Sequence, residues 1–181
     1  MVRDLPAQGR PLRPRRAGLT GPEKHVKVHS LLDEGLILAR LAARDREGVL
    51  REMSARLEAG AMIPPEEAIL DKLLKREELG TTAIGRGVAI PHCRSSRIKA
   101  PVLLLGLSKE GVPFASVDGK PSHVFFLLVS PQDNPNASLR LLAAIAALTR
   151  QSRSLAAKLL RAPGPAQVLQ ALREEEEKTR A

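Results

Sequence analysis

Two stretches of the chain place apolar residues at helical spacing. In residues 45–58 the apolar positions share one face and charged residues fill the other, which predicts an amphipathic helix that Gly60 ends. A second stretch begins at Pro64-Pro65, where proline suits a first helical turn, and runs to Gly80. The apolar stripes of the two predicted helices are Val49, Leu50, Met53 and Leu57, then Ile69, Leu70, Leu73 and Leu74.

Continuous apolar runs elsewhere predict strands. The runs at 102–108 and 123–130 are typical of central strands buried on both faces, and residues 36–38 form a shorter candidate. Residues 81–92 contain two short extended pieces around a glycine turn and end at a Pro-His pair. Because helical and strand patterns mix along the chain, the predicted fold class is α/β.

The C-terminal third predicts further helices. One covers residues 139–149 with Ser138 as its N-cap, and Ser154 caps a shorter one. Pro163-Gly164-Pro165 separates these from a last helix at 166–177, whose glutamate run at 174–177 is expected to face solvent.

Composition narrows the class of protein. The 181 residues fit one domain with tails, and the single cysteine, Cys93, excludes an internal disulfide and a cysteine-based metal cluster. Three phenylalanines, with no tryptophan or tyrosine, leave few rings on which bases could stack. There is no apolar run of about 20 residues and no secretory signal, so we expect a soluble cytoplasmic protein.

The formal charge of +9 is concentrated early, in a stretch rich in proline and arginine. Residues 1–27 are therefore predicted to be a flexible basic tail. This tail is either an electrostatic arm for nucleic acid or an acidic partner, or a plain solvated extension. The absence of a recognition-helix or base-stacking signature disfavours nucleic acid. The predicted domain covers 28–173, and residues 174–181 form a charged end.

His92 is the candidate for chemistry. It follows Pro91 and a glycine-rich segment, and it precedes the polar residues 94–97, so its ring is expected to be reachable from solvent. Imidazole has an unperturbed pKa of about 6.5 and is a nucleophile when neutral. The alternative is an ordinary surface histidine beside a turn, since a catalytic histidine needs positioned partners.

Residues 76–92 read Arg-Glu-Glu-Leu-Gly-Thr-Thr-Ala-Ile-Gly-Arg-Gly-Val-Ala-Ile-Pro-His. This segment resembles the signature of phosphotransferase-system enzyme IIA domains of the fructose/mannitol/nitrogen-regulatory type. Those domains show an Arg-Glu pair, a Ser/Thr-Thr segment and then Gly-x-Gly-[Ile/Val]-Ala-x-Pro-His. The resemblance continues through Val117-Asp118-Gly119 and the helix at 139–149. It implies a single domain with a mixed β-sheet sandwiched by helices.

The resemblance also implies roles for individual residues. His92 would accept the phosphoryl group, and Arg76 would hold its oxygens, although a helix-end cation is the plainer interpretation of Arg76. Gly85 and Gly87 would bind the phosphoryl group through backbone N–H groups; their plainer role is an ordinary tight turn, and the two roles are compatible. Thr82 would donate its hydroxyl, or it packs as a β-branched residue. No cofactor or metal is implied, because transfer between two imidazoles needs positioning and charge stabilisation.

The implied donor is the phosphocarrier HPr or its nitrogen-branch counterpart, and the implied recipient is a IIB domain or a regulated target protein. The protein would thus be a phosphoryl-transfer component with a phosphohistidine intermediate, rather than a stand-alone turnover enzyme. No IIB or membrane segment is attached, which favours the nitrogen-regulatory subtype over one in sugar transport.

Two positions depart from the family pattern. A second histidine commonly precedes the long helix, and Ser138 occupies that position here. Its hydroxyl at a helix N-terminus would substitute in part. Cys93 stands where glycine is common, and it is either neutral in effect or makes the site oxidisable. Ser138 also supports an alternative function, a degenerate IIA-like binding module that is not phosphorylated.

Overall fold

The computed structural model describes residues 26–179, so the predicted basic tail lies outside the described residues except for its last two positions. The helices are α1 (Arg46–Ala59), α2 (Ile69–Glu78), α3 (Pro135–Gln151), α4 (Leu155–Arg161) and α5 (Pro165–Lys178). The strands are β1 (Ile37–Leu38), β2 (Ala83–Gly85), β3 (Val88–Ala89), β4 (His92–Ser95), β5 (Val102–Val112) and β6 (Ser122–Pro131). Short 3₁₀ helices cover Val28–Leu31, Glu34–Leu36 and Pro65–Glu67. Within 26–179, no helix has both the length and the apolar character needed to cross a membrane.

The six strands form one mixed sheet around the β5–β6 pair. These two strands are antiparallel, and β1 joins the outer side of β5 in parallel. On the other side of β6 lie β3 and β4, both parallel to it, and β2 pairs antiparallel with β3. The predicted α/β class is confirmed, and the two long apolar runs are the central strands, as expected for strands covered on both faces.

The core is mostly aliphatic and also contains the three phenylalanines, Phe114, Phe125 and Phe126. All four positions of the first predicted stripe are buried on α1. In the second stripe only Ile69 and Leu73 are buried, whereas Leu70 and Leu74 are partly exposed. The three C-terminal helices bury Leu141, Ile145, Leu148, Leu155, Leu159, Val168 and Leu172.

Two predicted helix starts are wrong. The segment after Pro64 makes a single 3₁₀ turn, and Ala68 at a φ of 45° separates that turn from α2. The helix α3 begins at Pro135, because the Asn134 side chain accepts a hydrogen bond from the Ala137 N–H at 3.1 Å. Asn134 is therefore the N-cap, and Ser138 lies inside the helix.

The prediction that the glutamates at 174–177 face solvent is confirmed for Glu174 and Glu177 but wrong for the two between them. Glu175 and Glu176 are each only 4% exposed. The Glu175 carboxylate accepts a hydrogen bond from the Ser152 hydroxyl. Glu176 accepts bonds from the backbone N–H groups of Val28, at 2.7 Å, and His29, at 3.1 Å. These N–H groups open a 3₁₀ helix and have no partner within it, so the carboxylate satisfies them.

Candidate functional site

His92 lies just after an interruption in a strand of the sheet. The strands β3 and β4 continue each other in one register along β6, where His92 lies opposite Leu128. Ile90 and Pro91 fill the interruption, since proline has no N–H to add to the ladder. The Ile90 N–H bonds to the Thr82 carbonyl at 2.9 Å. The Ile90 carbonyl is then available to a side chain.

Both ring nitrogens of His92 have partners. Nδ1 lies 2.8 Å from the Ile90 carbonyl oxygen, which can only accept, so Nδ1 carries the proton and donates it. The Nε–H of Arg76 donates to Nε2 of His92 at 3.1 Å. This pair of bonds fixes the tautomer of the neutral ring and leaves its lone pair on Nε2.

The surroundings of His92 lower its pKa below the ordinary value. Burial is the largest cause, because desolvation disfavours the imidazolium ion. The bond to the Ile90 carbonyl acts in the opposite direction, and so does the charge of Glu77. The nearby cations Arg76 and Arg94 lower the pKa further. At neutral pH the ring is therefore uncharged and its Nε2 lone pair is available for attack.

Arg76 reaches His92 from the last turn of α2. Besides its bond to the ring, the guanidinium donates from Nη1 to the Gly80 carbonyl at 3.0 Å. A guanidinium has five N–H donors in a fixed plane, so donors remain for an anion held at Nε2. The structure thus brings together the two residues that the resemblance paired.

Glu77, next to Arg76, has a role that the sequence analysis did not assign. Its carboxylate is 5% exposed and accepts from the Thr82 N–H at 2.9 Å and the Thr82 hydroxyl at 2.7 Å. The predicted phosphoryl contact from Thr82 does not match this arrangement, because its hydroxyl proton is already donated to Glu77. The pair instead fixes the turn from α2 to β2, and this turn includes Gly80. The sequence signal that could have identified this pair is the spacing of five residues between Glu77 and Thr82, which allows a local side-chain to backbone hydrogen bond.

Gly85 and Gly87 are not brought to His92. The Gly87 carbonyl accepts from the N–H groups of His123 and Val124, which lie five and four positions along β6 from Leu128, the partner of His92. Four strand residues span about 13 Å. Both glycines have positive φ, 91° and 75°, and they form the turn between β2 and β3. This matches the plainer alternative of a tight turn rather than a phosphoryl-binding loop.

Ser138 is 5% exposed within the first turns of α3. Neither hydrogen bond of the His92 ring involves it. The described geometry therefore places this residue in the helix N-terminal region without joining it to the imidazole.

The two residues after His92 point in different directions, because side chains alternate along β4. Cys93 is 8% exposed, and burial raises the pKa of its thiol to about 12. A thiol this buried and this weakly acidic argues against an oxidisable site. Arg94 is exposed on the same face of the strand as His92, and the sequence analysis did not single it out. Its position two residues after His92 was the sequence signal that could have identified it, since residues two apart in a strand share one face.

No group of three or more His, Cys, Asp or Glu side chains within residues 26–179 is arranged to hold a metal ion. The His92 ring bonds to a backbone carbonyl and to the Arg76 guanidinium, and a second cation, Arg94, lies on the same face of β4. This combination can hold a neutral nucleophilic nitrogen and then stabilise a dianion bonded to it.

Comparison with known proteins agrees with this geometry. The chain is 36% identical over 144 residues to a nitrogen regulatory protein of Bradyrhizobium diazoefficiens, an alignment that covers 80% of this chain and 92% of that protein. It is 30% identical over 123 residues to the fructose-specific EIIABC component of Bacillus subtilis. That alignment covers 68% of this chain but only 19% of the larger protein.

The structure is also similar to the crystal structure of nitrogen regulatory protein IIA-Ntr from Neisseria meningitidis. The TM-score is 0.72 at 26% identity, with 80% of this chain and 98% of that one covered. The family model described as "Phosphoenolpyruvate-dependent sugar phosphotransferase system, EIIA 2" matches residues 30–175. From this match, the shared fold and the paired Arg76 and His92, the chain belongs to the EIIA 2 family of the phosphoenolpyruvate-dependent sugar phosphotransferase system.

Proposed function

We propose that the protein is a phosphocarrier that accepts a phosphoryl group on Nε2 of His92. The observation that carries this proposal is the ring held at both nitrogens: Nδ1 donates to the Ile90 carbonyl, and Nε2 faces the Arg76 guanidinium. A histidine on an inert surface has no need of a fixed tautomer or of a cation against its lone pair. Membership of the EIIA 2 family supports the same chemistry.

The transfer step balances without moving a proton. The Nε2 lone pair attacks phosphorus while the P–N bond to the donor imidazole breaks, and the electron pair of that bond returns to the donor nitrogen. The donor ring, which carries a proton on its other nitrogen, leaves as a neutral imidazole, and His92 keeps its proton on Nδ1. Because the Ile90 carbonyl accepts a hydrogen bond from this N–H, the positive charge that develops on the phosphorylated ring is stabilised.

Arg76 has two successive contacts in this scheme. Before transfer its Nε–H donates a hydrogen bond to Nε2 of His92, which keeps the ring oriented. As phosphorus approaches, the guanidinium moves from the lone pair to the phosphoryl oxygens, where paired N–H donors match the geometry of an anion. The exposed Arg94 supplies a second positive charge to the same face.

The proposed donor is HPr or its nitrogen-branch counterpart, and the proposed recipient is a IIB domain or a regulated target protein. Similarity to nitrogen regulatory proteins over 92% of the length of one of them favours regulation as the output. Phosphorylation adds a charge of about −2, which is enough to change how a basic surface binds a partner. The cytoplasmic location and the absence of a cofactor stay predictions from the sequence.

The test is phosphorylation by phosphoenolpyruvate, enzyme I and HPr, beside a His92→Ala variant. We expect a phosphate that is labile in acid, stable in base and absent from the variant. If neither the general nor the nitrogen-branch carrier phosphorylates the protein, and potassium phosphoramidate also leaves His92 unmodified, the phosphocarrier proposal is wrong. The alternative of an unphosphorylated binding module would then hold, and it predicts partner binding that survives His92→Ala.

A further inference from the structure

We propose that the surface around His92 is a docking face for a phosphoryl-carrying protein with an acidic rim and an apolar recess. We call this surface the His92 face. It is defined by Lys72 and Arg76 of α2, Leu79 directly after α2, Arg94 of β4 and Arg97 just after β4. The inference rests on the proposed phosphocarrier function and adds the charge and shape of the partner.

The first observation is geometric. Lys72, Arg76 and Leu79 are spaced by four and three residues, so they lie along one side of α2 and its C-terminal end. The middle residue contacts the His92 ring at 3.1 Å and the Gly80 carbonyl at 3.0 Å. Leu79 precedes Gly80 directly, so an apolar side chain lies next to the guanidinium that faces the nucleophile.

The second observation is the exposure of Leu79. It is 85% exposed, the most exposed of the large apolar residues in the described part of the chain. The others are Ile84, Val117 and Leu139, at 37%, 74% and 61%. Leu79 follows the last residue of α2 and contributes nothing to the core. A leucine held out beside a reactive histidine is the kind of anchor that fills a pocket at an interface.

The third observation is charge. Lys72 and Arg97 flank the buried carboxylate of Glu67, and Arg97 keeps 69% of its side chain exposed. Together with Arg76 and Arg94, these residues place four cations on the His92 face. The acids beside them are Glu67 and Glu77, which are both buried and already accept hydrogen bonds, and the exposed Glu78. The excess is positive, so the face attracts an acidic surface and repels a basic one.

These observations select a protein occupant over a free small molecule. A phosphorylated metabolite would use the cations around Nε2 but would have no use for Leu79 outside them. A carrier protein brings its own phosphohistidine, which adds about −2 to its charge, and surrounds it with enough surface to cover Leu79. Complementary charge speeds the encounter and makes its rate fall as salt screens the attraction.

The experiment compares two donors on one protein. The probes are the phosphorylated HPr-type carrier encoded in the same genome and potassium phosphoramidate, which needs no docking. For each variant the measured quantity is the ratio of the carrier-dependent to the phosphoramidate-dependent rate constant at His92. The test variants are Leu79→Ser and Arg97→Glu. The matched controls are Val117→Ser and Lys120→Glu, an exposed apolar residue and a cation in the loop next to the β2–β3 turn.

We expect each test variant to lower the ratio by about tenfold or more, which is the effect of losing an interface anchor or reversing a rim charge. Both controls should stay within about twofold of the wild-type ratio. The carrier-dependent rate of the wild type is expected to fall between 50 mM and 300 mM salt, values chosen to span about 14 to 6 Å of Debye length. Ratios within about twofold for both test variants, or a rate that does not fall with salt, overturn the proposal. So does a wild type that phosphoramidate modifies and the carrier does not, although in that case the phosphocarrier chemistry itself stands.

Discussion

The bond between Thr82 and Glu77 offers a sharp test of how the site is held in place. Thr82→Val keeps the shape of the side chain and removes the hydroxyl that donates to the buried carboxylate at 2.7 Å. A hydrogen bond to a charged group contributes about 1.5–3 kcal/mol, and here its loss leaves a buried charge with one donor fewer. We therefore expect the free energy of unfolding to fall by about 2 kcal/mol. For a domain of this size that corresponds to a melting temperature about 4–8 °C lower.

The same change is expected to slow phosphorylation of His92. Glu77 and Thr82 close the turn that contains Gly80, whose carbonyl holds the Arg76 guanidinium at 3.0 Å. If the turn loosens, the guanidinium is less well placed for the phosphoryl oxygens. Misplacing such a group costs about tenfold or more in rate. Thr82→Ser keeps the hydroxyl and should restore most of the rate.

The control is Ser152→Ala, which removes the hydroxyl that donates to another buried glutamate, Glu175. Ser152 follows α3, near the Arg150 carbonyl that binds Arg86 of the β2–β3 turn. This variant should lose comparable stability without losing rate at a temperature where both variants are folded. Calorimetry gives the melting temperature, and labelled phosphoenolpyruvate with enzyme I and carrier gives the rate. Equal rate losses in Thr82→Val and Ser152→Ala would refute the positioning role of Glu77.

Three further predictions follow from the site. Because burial and Arg76 depress the pKa of His92, protonation should reduce phosphorylation only as pH falls below the ordinary histidine value, and the stability that the neutral ring contributes should be lost over the same acidic range. A nuclear magnetic resonance titration of the His92 ring measures this pKa, and a value at or above about 6.5 contradicts the prediction. Cys93, with a thiol pKa of about 12, should react with a thiol reagent at pH 8 only after unfolding, which labelling with and without guanidinium chloride measures; rapid labelling of the native protein would show that the thiol is not buried as described. Ser138→Ala should leave the transfer rate within about threefold of the wild-type rate. Removal of a hydroxyl that donates a hydrogen bond to the phosphoryl group would lower the rate by about 10²-fold or more, so a loss of that size would place Ser138 in contact with the phosphoryl group.

The site could be predicted from sequence where the chemistry is local. His92 follows a proline, and Arg76 belongs to a motif whose order along the chain carried the family resemblance. The Glu77–Thr82 pair was missed although it spans only five residues, because a charged residue on a helix is usually solvated. For Gly85 and Gly87 the sequence could not decide between a tight turn and a phosphoryl contact. Their distance from His92 depends on the register against β6, which no local pattern encodes.

The fold shows the same division. Long apolar runs identified β5 and β6, since a strand that is buried on both faces has apolar residues at consecutive positions. The start of α3 was misplaced because Asn134 and Ser138 are both good capping residues, and the proline at 135 was the feature that should have decided between them. Burial of Glu175 and Glu176 was not predictable from α5 alone. Their partners Ser152 and Val28 lie 23 and 148 residues away in sequence.

The contact between Glu176 and Val28 also determines which rearrangements of the gene the protein should tolerate. It brings the first described helix and the end of the last one within 2.7 Å, so the two ends of the folded unit are neighbours in space. A short linker could join them, and new ends could be opened in the exposed loop at 116–120, giving a circular permutant with every strand pairing preserved. The same proximity suits a module inserted into a loop of a larger protein, since its entry and exit points lie near each other.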